Sequence, residues 1–309
     1  MMFAIMAMFA ASAASARREA VALTFDDLPA LTLLHSQTYV TCTNAMLLRG
    51  LKRHHLPAIG FVNEGKFDEL ERAKQIDVLH MWLNAGMLLG NHSFSHESPN
   101  NMAADAYVAD IVRGESVTRP LLAARGLRLV WFRHPYLETG PTQKAKQQIN
   151  HWLAEHGYRI APVTMENSDW LFAEPYDDAI ARHDNDRAGR IKASYLAYTT
   201  QMIAWYRSAA HQLLGRNMSY VMLLHVTRLN ANCISELAAL LRRAGLHAVA
   251  LEKAMKDPAY RIPDPYVGPD GIGWLERWSL ALHKDLPWDD FVDPPADIEA
   301  EYKHVDNDQ

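Results

Sequence analysis

The sequence predicts an α/β protein whose parallel strands close into a barrel of seven strand–helix units. Three observations carry this. Short apolar runs fall at residues 21–25, 58–62, 87–90, 128–132, 159–163, 220–224 and 247–251. Between them, residues 39–53, 69–84, 105–125, 143–156 and 234–243 repeat apolar side chains every three or four positions, the period of an amphipathic helix. Four helices end on Gly86, Gly126, Gly157 or Gly245, with the next strand starting at once. A left-handed glycine cap followed directly by a strand is the punctuation of a β/α chain.

The elements follow in order. Residues 1–16 are apolar and then small, and Ala14-Ser15-Ala16 fits a signal-peptide cleavage site before Arg17 and Arg18, although a positively charged start is missing. The run falls short of the roughly 20 apolar residues that span a bilayer. The expectation is an exported protein, periplasmic or extracellular, with no transmembrane segment in the mature chain. The barrel domain then covers 17–255. A connection at about 174–216 has a charged centre and an aromatic-rich helix with Tyr195, Tyr198, Trp205 and Tyr206, read as a helical insertion whose aromatics are core. From 256 to 309 the rhythm stops. A Pro-, Gly- and aromatic-rich stretch reads as an irregular C-terminal extension laid across the barrel, with Trp274 and Trp278 on one packed helix face. The acidic tail after it is expected to be partly disordered.

The 309 residues are 49% hydrophobic with a net charge of -5, enough for one large core and without the basic footprint of a nucleic-acid binder. Nothing in the sequence sets the oligomeric state. Cys42 and Cys233 are either a bridge or two buried thiols.

Polar residues gather where the predicted strands end. Asp26 and Asp27 follow the first strand, His92 and His96 the third, Arg133 the fourth; Asp169 and Trp170 lie just past the fifth, and His225 closes the sixth. In a β/α barrel these positions open onto one face, where catalytic groups sit. Asn63 and Glu64 end the second strand at the same mouth and are candidates to touch sugar hydroxyls. His54 and His55 read as surface or packing.

Two adjacent carboxylates at a partly desolvated strand end need a counter-charge. The four-residue spacing of His92 and His96 puts both imidazoles on one face of a helical turn, able to reach one cation. Two histidines and one aspartate make a three-ligand site with open positions, typical of catalytic zinc. One aspartate then serves as ligand, and the other stays ionised, poised to take the proton of the attacking water.

The set "TFDD", "HSFSH", "RHPY", "ENSDW" and "LLH", in this order on a β/α chain, resembles the polysaccharide deacetylases of carbohydrate esterase family 4. The resemblance covers roughly residues 21–251 and implies a distorted (β/α)7 barrel. It implies that Asp26 is the general base, that Asp27, His92 and His96 bind a divalent metal, usually zinc, and that Arg133 orients the base. The backbone at Tyr136 would help hold the oxyanion. His225 would be the general acid, paired with Asp169, and Leu223 and Trp170 would wall the acetyl pocket. The family's fourth motif usually begins with an aspartate where Glu166 stands here. Next to Arg133, Asp26 is expected to keep a low pKa.

The implied function is metal-dependent removal of N-acetyl groups from an amino-sugar polymer or oligomer of peptidoglycan or chitin type. An O-acetyl esterase on a decorated glycan such as acetylated xylan would use the same site. Two readings from other classes are an Fe(II) oxygenase, which the strand–helix alternation opposes, and an inactive glycan-binding module, which would be expected to have lost Asp26 or a ligand.

Overall fold

The computed structural model describes residues 19–306. Seven parallel strands run through them: β1 Ala20–Leu28, β2 Ala58–Val62, β3 Leu88–Asn91, β4 Trp131–Phe132, β5 Arg159–Ile160, β6 Ser219–His225 and β7 His247–Ala248. The helices between and after them are α1 Gln37–Arg53, α2 Arg72–Asn84, α3 Ala104–Arg113, α4 Thr118–Ala123, α5 Gln143–Glu155, α6 Asp169–Ala181, α7 Asn185–Leu214, α8 Arg228–Arg243, α9 Leu251–Ala254, α10 Trp274–Leu282 and α11 Ala296–Val305. Gly86, Gly126, Gly157 and Gly245 all take positive φ between these elements, as their placement requires.

The sheet order is β5-β4-β3-β2-β1-β6, with the short β7 also paired to β1. An isolated parallel bridge between Met165 and Met222 joins the chain beyond β5 to β6 and closes the barrel. The closure is distorted, because this seam has one bridge, with backbone hydrogen bonds from Thr164, Met165 and Leu223, whereas β1 matches β6 from Ala20↔Ser219 to Asp26↔His225.

Strand alternation divides the apolar residues in two. Ala20, Ala22, Ile59, Phe61, Trp131, Ala161 and Val221 share one buried cluster. Val21, Leu23 and Phe25, their neighbours in β1, belong to the larger core with the helices, where the Phe25 and Trp82 rings meet edge to face at 5.8 Å.

The single helix expected over 105–125 is two. The chain breaks after α3 at Gly114, where any Cβ would lie 2.5 Å from the carbonyl carbon of Ser93. The break therefore lets this segment press against the loop that carries the histidines. The aromatics Tyr195, Tyr198, Trp205 and Tyr206 are buried core, as are Trp274 and Trp278 in α10. Cys42 and Cys233 are free thiols, one exposed and one buried. No helix among the described residues is long and apolar enough to cross a membrane. Residues 1–16, read as a leader, lie outside the described residues apart from the question of their sequence.

The acidic tail departs from the expected disorder. Its residues form a short turn at Trp288–Asp290 and then α11. Trp288 and Phe291 stack around Trp205 at 5.2 and 4.9 Å, and Ile298 and Val305 are buried. Glu301 pairs with Arg187 at 2.7 Å. The acids dominate the composition, but an apolar stripe at Ile298, Tyr302 and Val305 gives the helix something to bury.

Candidate active site

Asp26 and Asp27 lie within β1 at a shift in its register with β2, between Phe25 and Leu28. Adjacent strand residues normally face opposite sides. Here Asp27 takes a left-handed φ of 62°, and both carboxylates reach one site. Asp26 stands directly opposite His225 on β6.

The histidines do not lie on a helical turn. They sit on an irregular loop after β3, with Ser93 and His96 at φ 64° and 59°. That backbone is strained and has to be held. Asp110 of α3 does so, accepting from the amides of Phe94 and Ser95 at 3.1 and 3.0 Å and from the Ser95 hydroxyl at 3.0 Å. Asn91 Oδ1 accepts from the Ser93 amide, and Ser93 Oγ from the His96 amide.

Asp27 Oδ1 lies 3.3 Å from His96 Nε2 and 3.8 Å from His92 Nε2. Ligands bound tetrahedrally at about 2.0–2.1 Å stand roughly 3.3 Å apart, so this spacing suits a shared cation. Asp27, His92 and His96 form such a cluster, one ligand atom each within 4.8 Å of the others. His92 Nδ1 sits 2.8 Å from the Arg133 carbonyl, which fixes that nitrogen as the donor and turns the Nε2 lone pair to the site. Burial lowers His92 and His96 to about 4, so both imidazoles are neutral and able to ligate. Burial would raise the Asp27 carboxyl, but Lys66 and the two imidazoles outweigh it and hold it well below the usual carboxylate range. Asp26 Oδ1 and Asp27 Oδ1 are buried without a hydrogen-bond partner, which leaves acceptors aimed at the place a cation would fill.

Asp26 behaves differently from expectation. Arg133 Nη1 is 3.3 Å from its Oδ2, yet burial prevails and pushes the carboxyl up to about 6. The reason is that Arg133 is shared. It donates from Nε to the Ala161 carbonyl and from Nη2 to Thr24 Oγ1, and its guanidinium lies 4.8 Å from the Phe61 ring centre. Its charge orients Asp26 without fully offsetting the desolvation of a carboxylate that is 3% exposed.

His225 closes β6 with Nδ1 2.7 Å from Asp169 Oδ1, while Asp169 Oδ2 accepts the His225 amide at 2.7 Å. Asn230 of α8 donates to both Asp169 Oδ2 and the His225 carbonyl, locking the pair. Burial works against a charged imidazole, but the Asp169 charge and hydrogen bond lift His225 to about 9. At neutral pH it therefore holds a proton that it can give away. We expect Asp169→Asn to bring the alkaline limb of the pH–rate profile down from near 9, because burial then acts on His225 against the charges of Asp27 and Asp26 alone. A profile of kcat/KM against pH for both proteins checks this.

Asp26, Asp27, His92, His96 and His225 share one cavity of about 440 Å³, to which Tyr136, Glu166, Trp170 and Leu223 also contribute, while Arg133 and Asp169 stand behind its wall. Tyr136 follows Pro135 at φ 55°, its ring 4.7 Å from that of His96. Residues 13–161 match the family model described as polysaccharide deacetylase. Over that stretch the chain is similar to the polysaccharide deacetylases. It is 28% identical over 153 residues to a peptidoglycan-N-acetylglucosamine deacetylase of Bacillus cereus, a match covering 48% of this chain and 46% of that protein. The chain thus matches about half the length of that curated relative. Among solved structures, the fold is similar to a polysaccharide deacetylase of Bacillus cereus (TM-score 0.53, 19% identity, 75% of this chain and 92% of the other). It is similar also to the chitin deacetylase of Colletotrichum lindemuthianum (TM-score 0.53, 20% identity, 78% and 89%).

Asn63 and Glu64, expected at the mouth, are not in the cavity wall. Glu64 is buried at the start of α4, where it accepts from Ser116 Oγ and the amides of Val117 and Thr118. The unsatisfied amides of a helix N-terminus claim it. Asn63 caps its own turn through the Lys66 amide. Glu166 does line the cavity, and burial with Glu276 and Asp169 nearby raises it to about 7. Several residues that build the site were not found from sequence. Asn91 sits immediately before the histidine motif and was open to notice. Lys66, Asp110 and Asn230 act across long sequence separations and carry no local signal.

Proposed function

We propose that this chain is a metal-dependent deacetylase that removes N-acetyl groups from an amino-sugar polymer or oligomer of peptidoglycan or chitin type, releasing acetate. The observation that carries the reading is one cavity holding the Asp27–His92–His96 cluster, Asp26 beside it and a protonated His225 across from it. A divalent cation on the cluster, zinc by its two-imidazole, one-carboxylate donor set, would polarise the acetyl carbonyl and acidify a water.

The chain's own groups supply the rest. Asp26 takes a proton from the water whose oxygen attacks the carbonyl carbon. Arg133 keeps the Asp26 carboxylate turned to that water. The backbone at Tyr136 would help hold the developing oxyanion. When the C–N bond breaks, His225 gives its proton to the amine nitrogen, leaving acetate and a free amine. Leu223 and Trp170 flank the space for the acetyl methyl. A leaving amine needs that proton more than a leaving alkoxide does, so a histidine charged up to about 9 favours amide over ester substrates. Export to a compartment holding such polymers fits the apolar residues 1–16.

The test is acetate release from chitin oligomers, peptidoglycan and acetylated xylan, with and without a chelator. Acetate from the amino-sugar substrates should fall to background with chelator and return with added zinc. Release from xylan alone, or release indifferent to chelator, overturns the reading.

A further inference from the structure

The cavity is not built by the barrel alone. Gly271 and Tyr302, both from the stretch beyond β7, stand in its wall with Trp170 and Glu166. Gly271 lies so close to the Tyr136 turn that any Cβ there would come within 1.6 Å of the Tyr136 carbonyl oxygen. On another side, Tyr302 meets Trp170 edge to face, with ring centres 5.2 Å apart at 81°. Trp170 remains 38% exposed and Tyr136 57%, so the rim is aromatic and open.

The anchoring of α11 fixes Tyr302 in the cavity wall. Ile298 and Val305 are buried, and Glu301 is held by Arg187, so the helix is fixed by the residues around position 302. Sugar rings present flat C–H faces and a fringe of hydroxyls. A flat aromatic with a polar tip, lining one cavity with the Glu166 carboxyl, suits both features. The cavity also holds more room than an acetyl group fills.

We propose that Tyr302, set against the edge of Trp170 and sharing the cavity with Glu166, is a sugar-binding platform, so that the C-terminal extension forms part of the substrate cleft and receives the sugar next to the one losing its acetyl group. This inference rests on the deacetylase reading for its substrate class, and its test separates the two. Tyr302→Leu keeps an apolar side chain packed on α6 but removes the flat face; Tyr302→Phe keeps the face. Each is made in the Asp26→Asn background, and binding of the N-acetylglucosamine pentamer and monomer is measured by titration calorimetry.

Tyr302→Leu should weaken pentamer binding about tenfold and monomer binding far less, while Tyr302→Phe stays within about twofold for both. In otherwise wild-type protein, the same Tyr302→Leu change should appear in KM for the pentamer more than in kcat. Equal pentamer affinity in Tyr302→Leu and its parent overturns the platform, as does a loss that Tyr302→Phe fails to restore, or a parent that does not bind the pentamer. Pentamer binding with the expected Tyr302 dependence but no acetate released by wild-type protein supports the platform and overturns the deacetylase reading instead.

Discussion

Asp26→Asn lowers the rate of acetate release by roughly 10²- to 10⁴-fold, the range a general base supplies, while metal content stays near one per chain. The separation of effects follows from the geometry. The cluster uses Asp27 Oδ1 with His92 and His96, whereas Asp26 Oδ2 faces Arg133 at 3.3 Å. Asparagine keeps an oxygen to accept from Arg133, so the guanidinium does not lose its partner outright. It cannot take a proton. Elemental analysis beside an acetate assay checks both halves, and loss of metal together with activity would reverse the roles assigned to the two aspartates.

His92→Ala removes the metal and most activity together. Changing a residue that merely supports a ligand costs about 10- to 100-fold in affinity, so losing one of three protein ligands should cost at least about 100-fold. His92 is also the better held imidazole: it is 2% exposed, with Nδ1 fixed by the Arg133 carbonyl. Metal titration of the purified variant reads the affinity directly. An active variant that holds no metal refutes the ligand assignment.

Much of the architecture was legible because strand ends and helix ends carry local signals. The seven apolar runs and the four capping glycines mark the β/α alternation without knowledge of any long-range contact. What the sequence hid is settled by packing. His92 and His96 have helical spacing, but Asp110 and Asn91 hold their loop in a conformation no periodicity reveals. Arg133 was expected to keep Asp26 acidic; its sharing between Thr24 and Ala161, and the depth of Asp26, reverse the sign. Glu64 looked like a mouth residue until the start of α4 claimed it. The tail's acids masked the stripe that folds α11.

The barrel's seam carries a consequence of its own. The metal-side residues Asp27, His92, His96 and Arg133 all stand at the ends of β1, β3 and β4, inside the continuous ladder. Between β6 and the chain leaving β5 there is one bridge, at Met165 and Met222. Just above it, Asp169 on one side clasps both the ring and the amide of His225 on the other. The contact that charges the imidazole is therefore also a fastener across the joint, and sparse pairing makes such a joint the cheapest place to part. When His225 loses its proton the clasp slackens, so the charge on the imidazole and the integrity of the wall rise and fall as one.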